Sequence, residues 1–225
     1  MIVLGVTGSI GMGKTTAAAV LRRLGVPVFE ADTCVHRLLA EDGAAVPGVT
    51  KAFPEAVRGG AVDRAKLGAI VFADQAARRK LEDIVHPLVR AAERRFLKRA
   101  EARRAAIVAL DIPLLFETGA DAMCDATIVV TAPRFVQERR VLARPGMTKK
   151  RLAQILSQQM PDAEKRKRAD FTVATGLGLR AALNDLRRIV RLVAQRNRRP
   201  AHVRRAPRKM GPHARNRPRY RNHGT

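Results

Sequence analysis

Residues 8–15 read GSIGMGKT and satisfy the spacing G-x-x-x-x-G-K-[ST], which is built to hold the phosphates of a nucleotide triphosphate. Gly8, Gly11 and Gly13 open backbone turns closed to other residues, so that successive N–H groups, that of Met12 among them, converge on phosphate oxygens. Lys14 brings a cation to the β- and γ-phosphates, the Thr15 hydroxyl is placed for Mg²⁺, and Thr16 follows at the helix start behind the loop. Two carboxylates extend this chemistry. Asp111 closes the apolar run Ile107–Leu110, the Walker-B pattern in which a buried strand delivers a carboxylate to a phosphate-bound metal. Asp32 stands just past a second apolar run, where it reads either as a helix N-cap or as the base that a phosphoryl transfer to an alcohol requires. Arg139, Arg140 and Arg144 form a cluster near the Pro145-Gly146 turn, with Arg140 and Arg144 on one helix face. Such arginines either form a solvated basic face or close over a nucleotide and stabilise the transferring phosphoryl. His86 precedes a proline and reads as scaffolding of a substrate site. Cys34 and Cys124 lie too far apart and lack ligand partners for a metal centre.

The elements that must position these groups alternate. Ile2–Val6 reads as a buried strand, residues 16–24 as a helix ended by Gly25, and Val26–Phe29 as a second strand with Asp32 capping a helix to Ala40. Residues 41–62, punctuated by Gly and Pro, read as loop. Leu81, Ile84, Val85 and Leu88 give a helical face that Pro87 is expected to break or kink, ahead of a separate basic helix to about Arg104. Strands at Ile107–Leu110, Thr127–Thr131 and Phe171–Val173 alternate with helices at 134–142, 149–159 and 179–195. This order predicts an α/β three-layer fold of the P-loop type, a parallel sheet covered on both faces, with ligands at the carboxyl ends of its strands. Residues 63–104 hold too much helix for one crossover and read as a helical subdomain inserted over that rim.

The net charge is +24, and its distribution matters more than its size. Residues 196–225 carry 11 Lys/Arg, four prolines and no Asp or Glu, which predicts a basic disordered tail. It could stay solvated or touch nucleic acid and other polyanions nonspecifically. Residues 1–195 remain basic, with 33 Lys/Arg against 20 Asp/Glu, as suits a polyanionic substrate. Two cysteines in 225 residues suggest no disulfide framework and a reducing cytoplasm. The apolar runs are strand-sized, so neither a signal peptide nor a membrane span is expected.

Taken in order, VTGSIGMGKTT, FEADTCVHRLL, VDRAKLGAIVF with Asp63 and Arg64, RRKLEDIVHPLVR with His86-Pro87, DIPLLFETG with Glu117, the Gln137/Arg140/Arg144 set, Gln159 and Ala169-Asp170 resemble the dephospho-CoA kinase family. The resemblance covers roughly residues 1–193, and the PLLFE and VHP segments are its specific part. It implies ATP-dependent transfer of a phosphoryl group to the ribose 3′-hydroxyl of dephospho-CoA, the last step of CoA synthesis. It also implies a P-loop core, a helical CoA-binding region at about 63–104 and a lid at about 134–168. On that basis Gly8 and Gly11–Thr16 bind ATP, Asp32 matches the base, and Arg140 matches the lid arginine. Asp63, Arg64, His86 and Glu117 fall in substrate-side motifs. The chain departs from the family's usual GGIGSGKS at Ser9, Met12 and Thr15, and it carries Thr175 where an Asn near the adenine is expected. Oligomeric state is open between a monomer and a small homo-oligomer.

Two other readings compete. Another P-loop small-molecule kinase would share Lys14 and the lid but lack the PLLFE and VHP segments. A basic nucleic-acid-binding protein would account for the charge, but the body has no set of aromatic stacking residues: the one Tyr lies in the tail.

Overall fold

The computed structural model describes residues 1–197, with side chains to Gln195; the tail expected from 196 onward lies outside the described residues, apart from the helical backbone at 196 and 197. The chain opens with β1 (Ile2–Thr7), whose last four residues are fully buried, and passes through the glycine loop into α1 (Lys14–Arg23). Gly25 ends the first βα unit in a left-handed turn (φ 79°), its N–H donating to the Arg22 carbonyl. β2 (Val28–Glu30) follows.

Five strands form one all-parallel sheet in the order β2-β5-β1-β6-β7, where β5 is Ile107–Asp111, β6 is Ala126–Thr131 and β7 is Phe171–Ala174. Ile107, Leu110 and their neighbours on β5 are all buried, as a central parallel strand covered on both faces must be. On one face Leu4, Val6, Ile128, Val130 and Val173 pack against Ala17, Val20 and Leu21 of α1 and against Leu186 and Ile189 of α9 (Leu179–Asn197). On the other face, Leu115 and Cys124 close over β1 so tightly that a Cβ at Gly5 would lie 2.7 Å from the Cys124 sulfur.

A second core forms to the side of the sheet. Val35 and Leu38 of α2 (Ala31–Leu38) meet Val49 of α3 (Val46–Ala52), Leu67 of α4 (Arg64–Ala73) and Leu81, Ile84, Val85 and Leu88 of α5 (Gln75–Ala102). Residues 41–62, expected as loop, supply α3, a 3-10 turn at Pro54–Ala56 and the small hairpin β3 (Val57–Arg58) and β4 (Ala61–Val62). Their Gly and Pro residues punctuate short elements that burial of Val49 and Phe53 holds together.

Pro87 does not end its helix. α5 runs through it for 28 residues, joining the two helices expected on either side. A proline removes one ladder bond, and the apolar contacts on both sides of residue 87 outweigh that loss. The distal half of α5 reaches the sheet, where Phe96 meets Phe29 of β2 at a ring-centroid distance of 5.6 Å and Ala100 is buried.

The chain between the last two strands is helical: α6 (Arg134–Leu142), α7 (Lys149–Ser157) and α8 (Asp162–Arg168). Among the described residues, no helix is long and apolar enough to cross a membrane, and no disulfide joins Cys34 and Cys124.

Candidate active site

The loop between β1 and α1 presents its N–H groups because Gly11 and Gly13 adopt φ 78° and φ 90°, a region that residues with a side chain rarely enter. Gly13 occupies the N-cap of α1 and offers no side-chain cap, so the first amides of the helix stay open to an anion. Space is as restrictive as conformation. A Cβ at Gly8 would lie 2.5 Å from the Val130 carbonyl, at Gly11 2.6 Å from Val141, and at Gly13 2.9 Å from the Thr175 hydroxyl. The loop is thus sealed from behind, and its amides face the rim where the strands end. Thr15 and Thr16 are exposed there.

Lys14 and Asp111 share that rim, with Nζ 3.7 Å from Oδ1. The β5 register sets Asp111 opposite Val6 of β1 and opposite Glu30 of β2, so Glu30 and Asp111 end adjacent strands. Burial pushes the Asp111 carboxyl up to about 6; Lys14 counters this, while Asp32 and Glu30 add to it. Its Oδ1 is buried without a hydrogen-bond donor. Glu30 is also penalised by burial, but hydrogen bonds from Arg22 (2.9 Å) and Thr33 (2.9 Å), with the charges of Arg22 and Lys14, outweigh that and hold it below the ordinary carboxylate range. Asp32 is exposed in the first turn of α2, whose N-cap position is two residues earlier at Glu30; Glu30 makes no side-chain cap there, and Asp32 is left facing solvent rather than capping the helix.

Arg140 on α6 lies against the loop from the far side. Its guanidinium donates to the Thr175 hydroxyl (3.0 Å) and the Thr175 carbonyl (3.0 Å), with a longer contact of 3.4 Å to the Gly11 carbonyl. The Thr175 hydroxyl in turn donates to the Met12 carbonyl at 2.7 Å. Gln137 Nε2 donates to the Ile10 carbonyl (2.7 Å), while the Ile10 N–H donates to Gln159 Oε1 (3.2 Å). Arg139 and Arg144, the other members of the expected arginine cluster, are exposed.

The family model described as dephospho-CoA kinase matches residues 2–179. The chain belongs to the dephospho-CoA kinase family. Among its relatives are dephospho-CoA kinases of Paramagnetospirillum magneticum, 63% identical over 74% of this chain and 78% of that one, and of Mesorhizobium japonicum, 55% identical over 84% and 95%. The fold is similar to a crystal structure of a Thermus thermophilus protein (TM-score 0.76, 39% identity, covering 85% of this chain and 96% of that one). A dephospho-CoA kinase from Campylobacter jejuni also matches, with TM-score 0.64, 25% identity and coverage of 87% and 98%.

The residues drawn from substrate-side motifs of the dephospho-CoA kinase family occupy different surroundings. Arg64, the first residue of α4, meets His36 Nδ1 at 2.8 Å, and His36 stands one turn beyond Asp32 on α2. The Asp63 carboxylate caps α4, accepting from the Ala65 and Lys66 amides at 3.0 Å each. His86 is exposed on α5. Glu117 turns inward: its Oε1 accepts from the Met160 amide (2.8 Å) and pairs with the fully buried Lys165 of α8 (2.9 Å). Burial would raise this carboxyl, but the hydrogen bonds from Lys165 and Met160 outweigh it and hold it below the usual value.

Glu30, His36 and Lys165 were not singled out from sequence. Glu30 could have been found as the carboxylate ending a strand next to Asp111, but that adjacency is set by sheet order. His36 and Lys165 carry no local signal, because their partners lie 28 and 48 residues away in sequence.

Proposed function

We propose that this chain phosphorylates the ribose 3′-hydroxyl of dephospho-CoA with ATP, yielding coenzyme A and ADP in the last step of CoA biosynthesis. The observation that carries the reading is the meeting of Lys14, Asp111 and Asp32 at one rim, in front of a nucleotide loop, in a member of the dephospho-CoA kinase family.

In the proposed reaction the amides of Gly11, Gly13 and Thr15, with Lys14, hold the β- and γ-phosphates, whereas the Met12 N–H, expected among them, donates to the Ser9 carbonyl (3.1 Å); Gly8 closes the back of the loop and Thr16 continues its amide row. Asp32 accepts a hydrogen bond from the 3′-hydroxyl and takes its proton as the oxygen attacks the γ-phosphorus. The bond from that phosphorus to the bridging oxygen breaks, and ADP leaves with the electron pair. Lys14 neutralises charge that spreads over the transferring group, and Arg140, already seated at the loop edge, adds a second cation there. Thr15 and Asp111 suit Mg²⁺: both offer hard oxygen donors, and the buried Oδ1 of Asp111 has no hydrogen-bond donor of its own. Bound there with the nucleotide, the ion would neutralise the phosphate oxygens. Asp63 and Glu117 support the acceptor side by capping α4 and anchoring α8, while Arg64 and His86 remain open to the acceptor. Two cysteines without a disulfide between them suit a reducing cytoplasm.

The test is ADP release by the full chain with ATP and Mg²⁺, comparing dephospho-CoA, adenosine, AMP and shikimate as acceptors. Turnover with dephospho-CoA at least 100-fold above the others is expected. A chain that ignored dephospho-CoA while phosphorylating another alcohol would be a different kinase.

A further inference from the structure

The glycine loop spends its amides alternately. The Ile10 N–H donates to Gln159 Oε1 at 3.2 Å, and the Met12 N–H donates to the Ser9 carbonyl at 3.1 Å. The N–H groups of Gly11 and Gly13 meet no acceptor among the described residues. The amides left for a ligand are therefore those that directly follow the Ile10 and Met12 carbonyls.

Both of these carbonyls are held by side chains from remote elements. Gln137 Nε2 donates to the Ile10 carbonyl at 2.7 Å, and the Thr175 hydroxyl donates to the Met12 carbonyl at 2.7 Å. A trans peptide is planar, and its C=O points opposite to the N–H of the next residue. A donor that draws the Ile10 carbonyl toward α6 thus turns the Gly11 N–H away from α6. Thr175 acts on the Gly13 N–H in the same way. Behind Gly11 there is no room for another arrangement, because a Cβ there would lie 2.6 Å from Val141 and 3.1 Å from the Gln137 carbonyl.

Gln137 is 4% exposed, and its side chain makes one hydrogen bond among the described residues, the one to Ile10. A buried amide is costly unless paired, so this position gains little from glutamine except that bond. Gln159 provides the contrast. It also ties its segment to Ile10, but through the N–H of the preceding peptide, whose Ser9 carbonyl is already engaged by the Met12 N–H. Losing the Gln159 bond leaves the Gly11 N–H where it was.

Resting on the functional reading above, we propose that Gln137 is a positioning residue for the phosphoryl donor. Its amide sets the plane of the Ile10–Gly11 peptide, so that the Gly11 N–H is aimed at the triphosphate before the nucleotide arrives. Gln137 touches neither nucleotide nor acceptor; it acts through one peptide group. Donors fixed in this way stabilise phosphate charge without reorienting during the reaction.

Titration of the full chain with ATP and Mg²⁺, without acceptor, tests this. Gln137→Met keeps the bulk of the side chain and removes its donor, and Kd for ATP should rise at least tenfold. Gln137→Asn keeps the amide but draws it back by one carbon; it should raise the same Kd at least threefold, and it decides the matter if the Met variant does not fold. Gln159→Met deletes the neighbouring bond to the same residue and should raise Kd no more than threefold. In an ADP-release assay the KM for dephospho-CoA should stay within twofold of wild type in the Gln137 variants. Gln137 variants that bind ATP within twofold of wild type overturn the assignment. So does a Gln159→Met variant that weakens ATP as much as Gln137→Met, since both glutamines would then merely fasten their segments to the loop. An equal rise in KM for dephospho-CoA overturns it as well. A wild type that binds ATP but transfers nothing to dephospho-CoA overturns the functional reading alone, because the ATP titrations do not depend on the acceptor.

Discussion

The nucleotide loop at residues 8–15 and the helical body at residues 35–89 face the same rim, yet they are held in different ways. Ile10 and Met12 in the loop are tied by Gln137, Gln159 and Thr175, and three of its glycines are backed so closely that no side chain would fit. The helical body has its own apolar core, and Arg64 and His86 stand exposed on it, with Asp32 exposed just ahead of it. Outward it is tied at its edge by Arg78 to Gln158 at 3.5 Å and, through the continuation of α5, to the sheet at Phe29. The difference fits the donor and acceptor roles proposed above. Charge stabilisation works when dipoles and cations are in place before the reaction, so the donor side is fixed. An acceptor with a long flexible arm must enter and leave, so its side stays open.

Four substitutions would break or sharpen that contrast. Lys14→Ala removes a cation from the fixed side, and kcat should fall about 10³-fold or more in an ADP-release assay. A loss under tenfold would show that the braced loop works through its amides alone. Glu117→Gln strikes the brace beneath both sides by stranding the buried Lys165, and should cost about 3 kcal/mol or more in a denaturant titration. Adding Lys165→Met should recover most of that. The same pair sets a pH dependence. The folded chain holds the Glu117 carboxyl below its ordinary 4.5, so the pair's contribution is full above pH 4.5 and is lost as the pH falls through the lower folded value. The Gln variant should lack that part of the acid limb, and equal acid limbs would place the ion pair in the denatured chain as well.

On the open side, Asp32→Asn keeps the shape but not the base, so kcat should drop about 10²-fold with ATP affinity unchanged. A kcat within a few-fold of wild type would return Asp32 to a surface role. The smallest effect belongs to Thr175→Val, which deletes the hydroxyl between Met12 and Arg140. A loss of about 1 kcal/mol, read as a several-fold rise in KM for ATP, is expected, with Thr175→Ser restoring it. An unchanged KM would show the loop to be held by its glycines alone.

The fixed side was far more legible in the sequence than the open one. Gly11, Gly13, Lys14 and Asp111 are constrained by local spacing and by strand burial, and both signals survive in a linear string. The parallel sense of the strands follows from βα alternation in the same way, whereas their order, with β5 between β2 and β1, does not. Residues 41–62 hid α3 because its turn-forming Gly48 and Pro47 argue locally for loop, whereas burial of Val49 against α5 argues globally for helix. Asp32 lost its expected capping role because the helix begins two residues earlier than its cap pattern suggests. Glu117 and Thr175 could be flagged from motif position, but their partners Lys165, Met12 and Arg140 are neighbours only once the sheet has formed.

The unbroken α5 couples the helical body to the sheet. It spans about 42 Å, its near half embedded in the helical core and its far half laid on the sheet at Phe29. Such a rod acts as a lever: force on the acceptor side reaches the strand that ends at Glu30, next to Asp32. Its stiffness is uneven, because Pro87 supplies no N–H to the Asp83 carbonyl near mid-length. Bending is therefore cheapest at residue 87, and it is there that strain from a bound acceptor would be absorbed before reaching the nucleotide loop.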